Sequence, residues 1–156
     1  MAIEKVREYF ADCGMADRIL EFDSSSATVE LAAQALSCEP RRIAKSLSFM
    51  VGEEPILVVT AGDAKVDNVK YKAKFGKKAK MLTPDEVVQF IGHAIGGVCP
   101  FAVNDGVTVY LDESLKRFST VFPACGSSNS AIELTIPELE EHSGFTEWVD
   151  VCKGWE

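Results

Sequence analysis

Three stretches of the chain carry residue types that ordinary core or surface does not require. The first is Arg42-Ile43-Ala44-Lys45-Ser46-Leu47-Ser48-Phe49. It places Lys45 at the mouth of an apolar strand, where an ammonium can meet an anion or a polarised carbonyl. The plainer reading is a lysine that snorkels off a strand end. The second is Gly92-His93-Ala94-Ile95-Gly96-Gly97-Val98-Cys99-Pro100-Phe101. Glycines followed by proline shape a loop whose backbone can approach a ligand closely, and exposed N–H groups there suit a carbonyl oxygen gaining charge. A tight turn would use the same residues. The third is Pro123-Ala124-Cys125-Gly126-Ser127-Ser128-Asn129-Ser130-Ala131, small and polar groups between two strands. These can hydrogen-bond a substrate or simply form a surface loop.

Familiar hydrolytic devices are missing. There is no G-x-S-x-G elbow and no H-E-x-x-H helix. His93 and His142 are the only histidines, so either would have to serve as the base of a triad. Cys99 and Cys125 are nucleophiles on paper only. The five cysteines, Cys13, Cys38, Cys99, Cys125 and Cys152, show no C-x-x-C spacing. No zinc pattern emerges, and free thiols in a reducing cytoplasm are expected. No cofactor is indicated.

The elements that must position these stretches follow from periodicity. Ile3, Val6, Tyr9, Phe10 and Cys13 fall at helical spacing, with Gly14 as a stop. A strand is expected over Arg18–Phe22 and a helix over Thr28–Leu36. Two buried strands, Ser46–Val51 and Pro55–Ala61, form a hairpin across Gly52-Glu53-Glu54. The lysine-rich segment Asp67–Phe75 reads as a helix ended by Gly76. Thr83-Pro84-Asp85-Glu86 and Thr135-Ile136-Pro137-Glu138 are capping boxes that open helices. Strand candidates cover Val107–Leu111, Thr120–Ala124, Ala131–Leu134 and Thr146–Val151. The irregular order suggests α+β with a mixed, largely antiparallel sheet.

With 156 residues, 47% of them hydrophobic and 26% charged, the chain fits one globular domain over residues 1–156. No apolar run approaches a membrane span, and the charged N-terminus lacks the apolar core of a secretory signal. The net charge of −8 argues against a non-specific nucleic-acid binder. The charge is uneven: −5 over residues 1–64, +6 over 65–80 with seven lysines against Asp67, and −9 over 81–156. Such a basic segment can dock a polyanion locally, although a solvated lysine-rich face has the same composition.

Taken in order, Ile43-Ala44-Lys45-Ser46-Leu47, Gly96-Gly97-Val98-Cys99-Pro100 with Phe101, and Gly126-Ser127-Ser128-Asn129-Ser130-Ala131-Ile132-Glu133-Leu134 resemble the YbaK/EbsC-type aminoacyl-tRNA editing family. This family is related to the editing insertion domain of bacterial prolyl-tRNA synthetases. The likeness runs from about Glu4 to Glu147. It implies a single compact α+β domain whose curved, mixed sheet is flanked by helices, and hydrolysis of the ester joining a wrong amino acid to its tRNA. Freestanding relatives of about this length imply that no synthetase body is missing and that the chain does not charge tRNA. The resemblance maps the family's lysine onto Lys45 and its glycine-to-proline loop onto Gly96, Gly97 and Pro100. Ser46, His93, Val98, Cys99, Phe101, Gly126, Ser127 and Ser128 are expected around the substrate. Lys70, Lys72, Lys74, Lys77 and Lys78 are expected to dock the tRNA. Bulk at Gly97 is expected to impair turnover more than stability. The implied partners are mischarged tRNA and prolyl-tRNA synthetase, with no membrane. A non-catalytic binder of tRNA or synthetase, and a thiol hydrolase acting through Cys99 or Cys125, are the competing readings.

Overall fold

The apolar run after Pro40 folds as an antiparallel hairpin of β2, Ile43–Val51, and β3, Glu54–Ala61, in register from Ala44 opposite Ala61 to Val51 opposite Glu54. Gly52 in the turn has φ +64°, a conformation that costs glycine nothing. The structure, a computed structural model, describes residues 2–155. β2 begins three residues before the strand expected from the sequence. A 3₁₀ turn over Pro40–Arg42 delivers Ile43 directly opposite Phe122 of β6, Thr120–Pro123, and pairing starts there. Lys45 therefore lies inside a strand, opposite Thr60, and not at its mouth.

Around this hairpin a curved six-stranded sheet runs in the order β8-β6-β2-β3-β5-β9, with β5 at Thr108–Asp112, β8 at Leu134–Thr135 and β9 at Glu147–Val149. It is mixed: β2–β3 and β6–β8 are antiparallel, while β2–β6, β3–β5 and β5–β9 are parallel. Two antiparallel ribbons flank it, β1 (Ile19–Glu21) with β7 (Ser130–Ile132) and β4 (Lys65–Val66) with β10 (Cys152–Lys153). The expected strand Ala131–Leu134 is broken in two, and the expected strand Thr146–Val151 stops at Val149. At Glu133 the carbonyl is taken by Arg18 and the carboxylate by Arg42 and Thr120. At Val151 the N–H donates to the buried Asp112 carboxylate, 3.0 Å, and leaves the ladder.

Among the described residues, five α-helices pack on this frame. α1, Ala2–Asp12, buries Val6 and Phe10 completely, and Phe10 meets Phe101 edge-on at 4.9 Å. Burying two such side chains stabilises its docking by roughly 3–6 kcal/mol. α2, Val29–Leu36, is capped by Thr28, whose Oγ1 accepts from Leu31 N at 3.1 Å. α3, Asn68–Phe75, runs from its Asp67 cap to Gly76 in the left-handed region and buries Tyr71 against Phe49. α4, Pro84–Glu86, opens with the expected capping box and widens into a π turn over Val87–Ile91. α5, Ile136–Ser143, opens with the second box and offers His142 Nδ1 to the Tyr9 hydroxyl of α1, 2.9 Å. No helix among the described residues is long and apolar enough to cross a membrane.

Candidate functional site

A cavity of about 240 Å³ opens beside β2. One wall is Ile43–Ser48; another is Ser26–Val29 with Ala32 of α2. Met81, Leu82 and Val87 close one side, Ile95, Gly96 and Val98 another, and Phe122, Ala124, Ser130 and Ala131 the back. These walls come from distant parts of the chain and are joined by hydrogen bonds. Ser26 N donates to Ser128 O at 2.6 Å, and Phe22 N to Asn129 O at 2.8 Å. Leu82 N donates to Ser48 O, and Met50 N to Lys80 O at 2.9 Å, so the chain leaving the lysine-rich segment is stitched to the end of β2.

Lys45 is half-buried on this wall. Burial holds its pKa below the usual lysine value, while Asp63 and Glu30 attract it only from farther away. Among the described residues no carboxylate stands within ion-pair distance of it. Arg117 nearby shows the opposite case, with two bonds to Asp63 at 2.6 and 3.0 Å. Next to Lys45, Ser46 also lines the cavity, and its buried Oγ has no partner.

The glycine loop is arranged differently from the expectation. Gly96 has φ +92° and lines the cavity, and a Cβ there would meet Ala27 and Ser128 at 3.2 and 3.4 Å. Gly97 is buried and faces away from the cavity. A Cβ on it would stand 2.6 Å from Ser127 N and 2.7 Å from Gly126 C, so this glycine exists to let two loop backbones touch. Its N–H is spent on Ala94 O, 3.0 Å. Pro100 has no N–H at all. Within Gly96–Pro100, Gly96 and Val98 line the cavity beside Ile95, and neither the Gly96 nor the Val98 N–H has an acceptor among the described residues.

Behind the loop, Pro100, Phe101, Cys99 and His93 sit in the core and not on the cavity wall. His93 is 1% exposed, and its Nε2 bonds the Phe101 carbonyl at 2.8 Å. A carbonyl only accepts, so Nε2 carries the proton and cannot act as a base toward Cys99 Sγ, 3.6 Å away. Burial lowers the His93 pKa and pushes the Cys99 thiol up to about 12; burial also pushes Cys125 up. Both sulfurs are enclosed and protonated at neutral pH, which removes the footing of thiol catalysis. Among the described residues no three His, Cys, Asp or Glu side chains converge as a metal site would need.

Gly126, Ser127 and Ser128 form an outer clasp and do not line the cavity. Gly126 lets the start of α1 approach, and Ser127 Oγ bonds Asn129 and Ser130. Ser130 and Ala131 are the members of that stretch on the wall. The sequence reading missed the wall from Ser26 to Val29; the only signal was the run of small residues Ser24-Ser25-Ser26-Ala27 before the Thr28 cap. The five lysines also divide. Lys70 Nζ reaches Asp150 and Cys152 O, and Lys74 pairs with Glu147. Lys72 and Lys78 line a separate groove, and Lys77 lies over the Gly52 turn.

Residues 23–142 match the aminoacyl-tRNA editing domain. An uncharacterized protein of Bacillus subtilis, YwhH, is 55% identical over 157 residues, covering the whole of both chains. A proline–tRNA ligase of Halalkalibacterium halodurans is 30% identical over 131 residues, 83% of this chain and 22% of the ligase, so the chain spans about a fifth of that enzyme. The crystal structure of a candidate trans-editing enzyme for prolyl tRNA synthetase superposes with a TM-score of 0.87 at 30% identity, over 98% of each chain.

Proposed function

Because the chain belongs to the aminoacyl-tRNA editing domain family, we propose that it is a freestanding deacylase of mischarged tRNA, acting on proline tRNA that carries a small amino acid such as alanine, cysteine or serine. The observation that carries this reading is Lys45: a half-buried ammonium without a carboxylate partner, on the wall of a cavity of about 240 Å³. In the deacylase the ammonium holds the terminal phosphate or the ester region of the substrate.

The reaction needs no protein nucleophile, because an aminoacyl ester is already activated. Water attacks the ester carbonyl carbon and the bond to the ribose oxygen breaks. The proton lost by water ends on that oxygen, relayed by the neighbouring ribose hydroxyl of the substrate itself. Within Gly96–Pro100 the N–H groups of Gly96 and Val98 are left for the developing oxyanion; Gly97 and Pro100 have none available for it. Positioning and oxyanion stabilisation supply the acceleration. The wall formed by Ala27, Val29 and Ala32 suits a small side chain and crowds a large one. The lysine-rich side takes the tRNA, in the cytoplasm, with prolyl-tRNA synthetase as the enzyme whose errors are cleared.

The test is a panel: proline tRNA charged in turn with alanine, cysteine, serine, aminobutyrate and proline, with deacylation followed over time. Faster release of small non-cognate residues than of proline is expected. Binding of every charged tRNA with no release above the uncatalysed rate would replace this reading with a non-catalytic tRNA- or synthetase-binding module.

A further inference from the structure

The lysine-rich segment is not one uniform face. Lys70 and Lys74, four residues apart on α3, point to the same side, where Asp150, the Cys152 carbonyl and Glu147 receive them. They strap the helix to the C-terminal strands. Lys72 lies roughly 200° around the helix from Lys70. It opens with Lys78 onto a groove of about 670 Å³ that also includes Asn68, Val69, Ala73 and Ala79. No carboxylate lies within ion-pair distance of Lys72 or Lys78 among the described residues. Val69 is 80% exposed, an apolar side chain left to solvent among cations.

Resting on the deacylase reading, we infer that this groove holds a nucleotide of an unpaired RNA strand whose 3′ end lies in the cavity, Lys72 and Lys78 meeting phosphates while Val69, Ala73 and Ala79 lie under a ribose or base. Two features favour a nucleotide. The groove combines three apolar side chains with two ammonium groups and one amide, the chemistry that a ligand of sugar, base and phosphate calls for. It also lies close to the cavity along the chain: Lys78 of the groove and Met81 of the cavity are three residues apart, about 10 Å of extended chain, and Met81 also bridges to Phe49. The strand joining them is fixed by the bond from Met50 N to Lys80 O. A single strand reaching from groove to cavity would run beside this anchored segment.

The experiment measures binding of uncharged proline tRNA by fluorescence anisotropy over a salt series. Lys72→Gln/Lys78→Gln is compared with Lys70→Gln/Lys74→Gln, folding being checked by circular dichroism. Each lost contact to a single strand removes about 0.7 from the slope of log affinity against log salt, so the first pair is expected to lower it by about 1.4. The second pair is expected to lower the melting temperature and to change the slope by clearly less. Val69→Ser is expected to weaken binding with the slope unchanged. A wild-type slope in Lys72→Gln/Lys78→Gln overturns the inference, and loss of binding to prolyl-tRNA synthetase in that variant would then assign the groove to an acidic protein segment. An equal loss of slope in the two pairs, both folded, also overturns it. Uncharged tRNA keeps the two readings apart: the expected slopes without any deacylation would leave the groove assigned and remove the deacylase.

Discussion

Changing Lys45 to methionine keeps most of the side-chain stem and removes the ammonium. Two unit charges 4 Å apart at an effective dielectric constant near 20 interact by about 4 kcal/mol. Lys45 is half-buried, so solvent screens part of that, and a loss of about 3 kcal/mol is the working value. At 1.36 kcal/mol per decade this is a fall in kcat/KM of about two orders of magnitude. The assay is deacylation of charged proline tRNA at limiting substrate, with hydroxide-catalysed loss subtracted. Stability should move the other way. The folded-state pKa of Lys45 is lowered, so the unfolded chain binds its proton more tightly. The cost of burying the charge is full below the folded pKa and is relieved as pH rises toward the unfolded value. At neutral pH the methionine variant should therefore melt at or above the wild-type temperature. In the wild-type protein, the Lys45-dependent rate should fade with rising pH before the usual lysine pKa of 10.5 is reached. A folded Lys45→Met protein with wild-type kcat/KM would refute the reasoning.

Gly97→Ala should lower the melting temperature together with activity, because its Cβ would stand 2.6 Å from Ser127 N; overpacking of this kind costs roughly 1–3 kcal/mol, and an unchanged melting curve would contradict the loop contact. Glu138 is held down to about 2 by Arg18 and by Thr135 N–H, so its contribution is present above pH 4.5 and lost as pH falls toward 2. Arg18→Ala should lower the melting temperature at pH 7 and flatten that acid loss, and identical pH profiles for the two proteins would dismiss the pair. Alkylating reagents at pH 8 should leave Cys99 and Cys125 unmodified in the folded protein and activity intact, with mass spectrometry as the check. Ala32→Leu should slow release of the larger aminoacyl groups more than of alanine, whereas an equal loss for every amino acid would mean that Ala32 does not shape the amino-acid end of the cavity.

What could be read in the chain beforehand was local. The boxes Thr83–Glu86 and Thr135–Glu138 and the Asp67 and Gly76 ends of α3 depend on residues within one turn, and the structure has each of them. What could not be read depends on distant partners. β2 begins at Ile43 because Phe122, nearly eighty positions away, pairs with it. The strand expected to reach Val151 stops at Val149 because Asp112 removes Val151 N–H from the ladder. The wall at Ser26–Val29 belongs to the site because Ser128 O pins Ser26 there. Gly97 shows the limit most clearly. Its sequence context fits a close backbone approach, and a close approach is what the structure contains, but toward the Gly126–Ser127 backbone and not toward a ligand.

The distribution of ion pairs joins the cavity to the basic side. All five arginines are held by carboxylates: Arg7 by Glu21, Arg18 by Glu138, Arg41 by Glu39, Arg42 by Glu133 and Arg117 by Asp63. With 24 acidic residues against 16 basic ones, partners are in excess. Lys45, Lys72, Lys77 and Lys78 nevertheless have none within ion-pair distance among the described residues. For three exposed lysines this costs little, since water solvates them. For Lys45 it is unfavourable, because a half-buried ammonium loses hydration without a compensating anion. On the deacylase reading, an anionic substrate would supply the partner that the cavity-wall Lys45 lacks among the described residues. The unpaired lysines leading away from that cavity through Lys80 and Met81 carry the same preference outward. On the same reading, the acidic remainder would repel a polyanion, so the net charge of −8 would direct an RNA substrate to the lysine-rich side.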